Sequence, residues 1–150
     1  MRQTMLAALA VLGMGACASP AAPELPENFD PAVCYQRAFN LYFEGTETDV
    51  SPEAGEAIAA IEHAVRGCRI EGVRIVGQAG PTGSQDANMD LSARRAEAVS
   101  AYLQRETDWP RSAYSLRAIG EEGAVTDAGV RPLRQRASVI VNAVAPLEAE

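Results

Sequence analysis

Residues 77–99 read GQAGPTGSQDANMDLSARRAEAV. Glycines at 77, 80 and 83 and a proline at 81 make the first part a loop. The second part keeps helical spacing, with Leu91, Val99 and Leu103 as its apolar stripe. The spacing predicts a helix over 88–105. A loop that feeds a helix N-terminus suits an anion, because unpaired backbone N–H groups and the helix dipole point toward it. Two adjacent arginines lie in the helix, Arg94 and Arg95. Neighbouring helix residues point about 100° apart, so only one of them faces the loop.

Outward from this stretch the elements alternate. Tyr35–Phe43 (YQRAFNLYF) places Phe39, Leu41 and Phe43 on one face of a strand. Ser51-Pro52-Glu53 supplies an N-cap, a proline at the first helical position and an acid in the first turn. The helix runs to about Arg66, with Ala54, Ile58, Ile61, Val65 and Cys68 as its stripe. Val73–Gly77 is a second strand and Ala113–Gly120 a third. Gln135–Val144, rich in β-branched residues, is a fourth. The order is β-α-β-α-β-β, an α/β fold. A parallel crossover between the first two strands brings the start of strand one and the end of helix one to the same edge. Cys34 and Cys68 sit at those two points, which favours a disulfide over two buried thiols.

The N-terminus reads as an export signal. Met5–Gly15 is a run of about eleven apolar residues after a basic start, too short to span a bilayer as a helix. Small residues precede Cys17, as in a bacterial lipoprotein cleavage box; ordinary cleavage near Ala16 or Ala18 is the alternative. The expected organisation is a signal peptide over 1–16, then an acylated Cys17 with a Pro/Ala-rich tether over 17–30. A folded domain follows over 31–145 and a tail over 146–150. An extended tether of that composition reaches about 40 Å.

Composition narrows the function. The net charge is −7 and all 13 basic residues are Arg. Without a basic run, nucleic acid is a poor partner. His63 is the one histidine, and it falls off the apolar stripe of its helix. No Gly-x-Ser-x-Gly elbow, Cys–His pattern or metal-ligand spacing is present. The chain reads as a binding domain, with no enzymatic activity, metal or cofactor expected. Glu121-Glu122 reads as a solvated acidic pair. Tyr102 and Trp109 read as edge-of-core aromatics.

Gly77, Gly83, Asn88, Leu91, Ser92, Arg95, Ala96 and Val99 together resemble the signature of OmpA-like peptidoglycan-binding domains. That signature runs Gly-His-Thr-Asp, Gly, then Asn-x-x-Leu-Ser-x-x-Arg-Ala-x-x-Val. Phe43–Ala54, Ile119-Gly120-Glu121 and Val125 extend the likeness, which covers roughly Cys34 to Val144. The resemblance implies an OmpA-like two-layer sandwich with a mixed parallel and antiparallel sheet. It also implies noncovalent binding of the peptide stem of peptidoglycan, with Arg95 pairing with a diaminopimelate carboxylate. A guanidinium offers such a carboxylate a planar fork, and a charge-assisted bond of this kind contributes about 1.5–3 kcal/mol. Asn88 is expected to order the loop and the helix start, and Gly83 to serve turn geometry.

The departures from the pattern are specific. Gly77-Gln78-Ala79-Gly80 stands where the family has Gly-His-Thr-Asp, so Gly80 replaces the acid that meets the ligand's ammonium. Asp86 is the possible substitute in the same loop, and Asp90 a helix-start acid. Arg134-Gln135-Arg136-Ala137 covers the family's closing Asn-Arg-Arg. The expected role is a tether between an outer-membrane lipid anchor and the cell wall, with envelope proteins as possible further partners; a soluble periplasmic form is the alternative location. The competing reading is a divergent domain that has lost wall binding and serves as a structural or interaction module.

Overall fold

The computed structural model describes Leu25 and residues 27–126, 129–130 and 135–146. The signal peptide, Cys17, most of the tether, Arg134 and residues 147–150 lie outside the described residues.

Strand β1 is Arg37–Tyr42, helix α1 Pro52–Ala64, β2 Arg69–Gly77 and α2 Gln85–Glu106. They are followed by β3 Tyr114–Ala118, the two-residue strands β4 Val125–Thr126 and β5 Gly129–Val130, and β6 Arg136–Val144. Single 3-10 turns precede β1 at Pro31–Val33 and β3 at Arg111–Ala113. The main sheet has the order β1-β6-β2-β3, and β4 and β5 form a separate ribbon. β6 is antiparallel to both β1 and β2, and β2 is parallel to β3. β1 and β2 are therefore parallel to each other with β6 between them.

The fold is the expected two-layer α/β arrangement. Alternation along β6 turns Ala137, Val139, Val141 and Ala143 toward the helices. They meet Val73 and Ile75 of β2, Leu41 of β1, Ile58 and Val65 from the first helical segment, and Ala96, Val99 and Leu103 of α2. A side chain of this size contributes about 1.5–3 kcal/mol when fully buried, so this layer is the core that positions every loop. Helix and sheet approach closely at Gly77, where a Cβ would lie 1.9 Å from the Ser92 carbonyl oxygen. Only glycine permits that approach. Trp109 and the half-buried Tyr102 pack at the core edge, and His63 is exposed.

Three expectations shift. α2 begins at Gln85, a turn before Asn88. The Ser84 hydroxyl caps it by accepting from the Ala87 N–H at 3.2 Å. β2 begins at Arg69, since Ile70 pairs with Ala143 ahead of a bulge before Gly72. The β4–β5 ribbon adds two short strands to the expected β-α-β-α-β-β order. Cys34 and Cys68 are disulfide-bonded, with Cα atoms 5.6 Å apart. The bridge lies at the edge where β1 and β2 begin.

Candidate functional site

The ends of β1, β2 and β3 run out together at the opposite edge, where α2 starts. Three loops meet there, and α2 supplies the groups that join them. Arg95 has no exposed surface. Its Nε donates to the Glu47 carbonyl, Nη1 to the Gln78 carbonyl and Nη2 to the Gly45 carbonyl, each at 2.9 Å. The guanidinium also lies 4.8 Å from the centroid of the Phe43 ring. One side chain thus ties the loop after β1 to the loop after β2. Burial lowers its pKa from the ordinary arginine value, yet a guanidinium stays protonated at any ordinary pH. Three of its five N–H groups are committed, which leaves one on each Nη.

Ser92, one turn earlier and fully buried, joins the third loop. Its hydroxyl donates to the Met89 carbonyl at 2.8 Å and accepts from the Gly120 N–H at 2.9 Å. The Gly120 carbonyl in turn accepts from the Ala79 N–H at 2.8 Å. Asn88 is buried, and its Nδ2 donates to Glu121 Oε2. The Glu121 carboxylate is therefore held by the buried amide of Asn88 and is half-buried, contrary to its reading as a solvated acid. Asn88, expected to order the Gly-rich loop and the helix start, lies inside the helix, and its amide reaches the loop after β3 instead, while Ser84 caps the helix.

Gly83 has φ +106°, a left-handed conformation that glycine adopts without strain. Gly80 is buried, and a Cβ placed there would lie 3.1–3.2 Å from the Gln135 side chain. A neutral amide, not an acid, stands beside it. Gln78 is buried too, and its Oε1 accepts from Arg136 Nε at 3.1 Å. Asp86 is exposed in the first turn of α2. Arg94 and Asp90 are exposed and form an i,i+4 ion pair at 3.2 Å, away from the buried face that holds Arg95. The structure thus gathers Asn88, Arg95 and the Gly80 loop at one edge, and adds Ser92, Gln78, Glu121 and Gln135.

Gln78 and Gln135 could not be found from local pattern, because their partners lie 58 residues away or at a glycine. Glu121 carried one signal, its place directly after Ile119-Gly120. Among the described residues no three His, Cys, Asp or Glu side chains gather as a metal site, and no helix is long and apolar enough to cross a membrane.

Comparison with known proteins identifies the class of domain to which this fold belongs. The chain belongs to the OmpA family, whose model matches residues 42–138. The outer-membrane lipoprotein YfiB of Pseudomonas aeruginosa is 28% identical over 149 residues, spanning 89% of this chain and 88% of that protein. The OmpA-like domain of FopA1 from Francisella tularensis subsp. tularensis SCHU S4 superposes with a TM-score of 0.61 at 20% identity, covering 77% of each chain. The peptidoglycan-associated lipoprotein from Burkholderia pseudomallei superposes at 0.56 and 19% identity, over 68% of this chain and 88% of that one. These likenesses agree on the fold.

Proposed function

We propose that this domain associates noncovalently with peptidoglycan and links the outer membrane to the cell wall. In this reading Cys17 carries the lipid anchor, residues 17–30 form the spacer, and the domain works in the periplasm. A weak site suffices, because tethering raises its effective concentration near the wall. The observation that carries the proposal is Arg95 on the buried face of α2, facing the loops after β1 and β2, within the stretch the family model covers, with an uncommitted N–H on each Nη. Those two N–H groups match a diaminopimelate carboxylate of a stem peptide. Arg95 has no exposed surface, so such a carboxylate reaches it when the Gly45–Glu47 segment lifts.

The same burial favours a second reading. A guanidinium spent on three backbone carbonyls, beside a Gly80 faced by Gln135, also suits a structural or protein-interaction module of the envelope. Co-sedimentation of the full chain with purified peptidoglycan separates the two. The wall-binding reading expects sedimentation at low salt that a soluble diaminopimelate-containing stem peptide competes away. It also expects Gly80→Asp to tighten binding about tenfold by restoring an acid for the ligand's ammonium. Folded protein that stays in the supernatant establishes the second reading.

A further inference from the structure

The sheet face turned away from the helices carries three arginines. Alternation sends Arg74 and Val76 of β2, Ser115 and Arg117 of β3, and Arg136 and Ile140 of β6 to that face. Arg74 pairs in register with Ser115, and Arg117 with Val76, so the two arginines are diagonal neighbours on adjacent strands. Arg136 lies across from Tyr42 of β1, which is 53% exposed. Among the described residues, none of these three arginines is within ion-pair distance of an acid. Arg66, Arg69, Arg94 and Arg105 all are. The nearest acid along β2 is Glu71, at the bulge, and Arg69 holds it at 2.6 Å.

In a chain of net charge −7 this is a local reversal of sign. Like charges on neighbouring strands destabilise a sheet, and these side chains do not pack in the core. The face is continuous with the candidate site. Arg136 donates to the Gln78 side chain, and the Gln78 carbonyl accepts from Arg95. Strands lie about 4.8 Å apart, so the cations spread over roughly 10 Å from β6 to β3. That spacing suits a chain of anions better than one small anion.

We propose that the open sheet face is a second, electrostatic contact surface for a polymer bearing repeated carboxylates, laid across Arg74, Arg117 and Arg136. It rests on the wall-binding reading, since the acidic stem peptides of the wall are such a polymer and the face adjoins the site that would hold one of them. Its contribution is screened by salt, and it adds to capture more than to specificity.

The test is sedimentation of the full chain with purified peptidoglycan across a salt series, with Arg74→Gln/Arg117→Gln beside it. Both positions are exposed, so the fold survives, and circular dichroism checks this. Arg66→Gln/Arg105→Gln removes the same charge from the turn after α1 and from α2 as a control. The expected result is binding about tenfold weaker for the sheet-face variant, with a flatter salt dependence, and little change for the control. Equal binding by the sheet-face variant and wild type overturns the inference and leaves the wall-binding reading intact. An equal loss in both double variants also overturns it, because net charge alone then explains the effect. Phosphatidylglycerol vesicles that capture wild type but not the sheet-face variant, while wall binding is unchanged, assign the face to lipid and overturn it. Absence of wild-type sedimentation removes both proposals.

Discussion

At the edge where β1 and β2 begin, a disulfide joins Cys34 to Cys68; at the opposite edge, where β1, β2 and β3 end, the closure is made by Arg95 and Ser92. A disulfide acts chiefly on the unfolded chain, by removing conformations, and asks little of its surroundings. A buried guanidinium acts in the native state and needs each carbonyl at its place. The first edge is therefore tolerant of local change, whereas the second concentrates stability and candidate function in one side chain. A site built this way trades access for order. Arg95 holds the loops around the start of α2, and the same hydrogen bonds close it to a guest.

The sharpest way to break this comparison is Arg95→Ala. It leaves the Gly45, Glu47 and Gln78 carbonyls without their donor and opens a cavity under Phe43. A loss of about 3–5 kcal/mol is expected in urea unfolding. Hydrogen exchange should rise first in the loops after β1 and β2. A loss below about 1 kcal/mol would show that water replaces the guanidinium and that the edge is not built on it.

Replacing both cysteines, Cys34→Ala with Cys68→Ala, probes the other edge. The loop it frees has a sequence separation of 34, worth about 3–4 kcal/mol in the chain-entropy model. Unlike the arginine variant, it should leave peptidoglycan sedimentation unchanged at temperatures where the protein stays folded. A parallel loss of binding would mean that the two edges are coupled through the sheet.

The smallest effect is a pH slope. Burial raises the pKa of Tyr114, at the start of β3, above the ordinary tyrosine value of 10.0. Above that value the folded state holds more protons than the unfolded state, so stability is intact below it and falls as pH rises through the folded pKa. Tyr114→Phe should remove this part of the alkaline slope in thermal melts above about pH 10. An unchanged slope would place the titration elsewhere.

Much of the fold was legible because its elements bury one face. Leu91, Val99 and Leu103 marked α2, and the β-branched run marked β6, since burial repeats at the period of each element. The start of α2 was misplaced because Ser84 and Asn88 are both good caps, and a local pattern does not say which hydroxyl or amide meets a free N–H. β4 and β5 pair over two residues each, too few to show a period. The motif marked out Arg95 as the arginine of interest, and the structure puts its guanidinium among backbone carbonyls from two loops.

By itself the chain's sequence determined the α/β class and favoured the pairing of Cys34 with Cys68, because these follow from periodicity and element order, while the family motif singled out Arg95 from Arg94. Tertiary structure alone decided that β6 lies between β1 and β2, that Gln135 stands beside Gly80, and that Asn88 holds Glu121. Those contacts join residues far apart in the chain. Their energies depend on distance and orientation in the folded state, which no local spacing encodes.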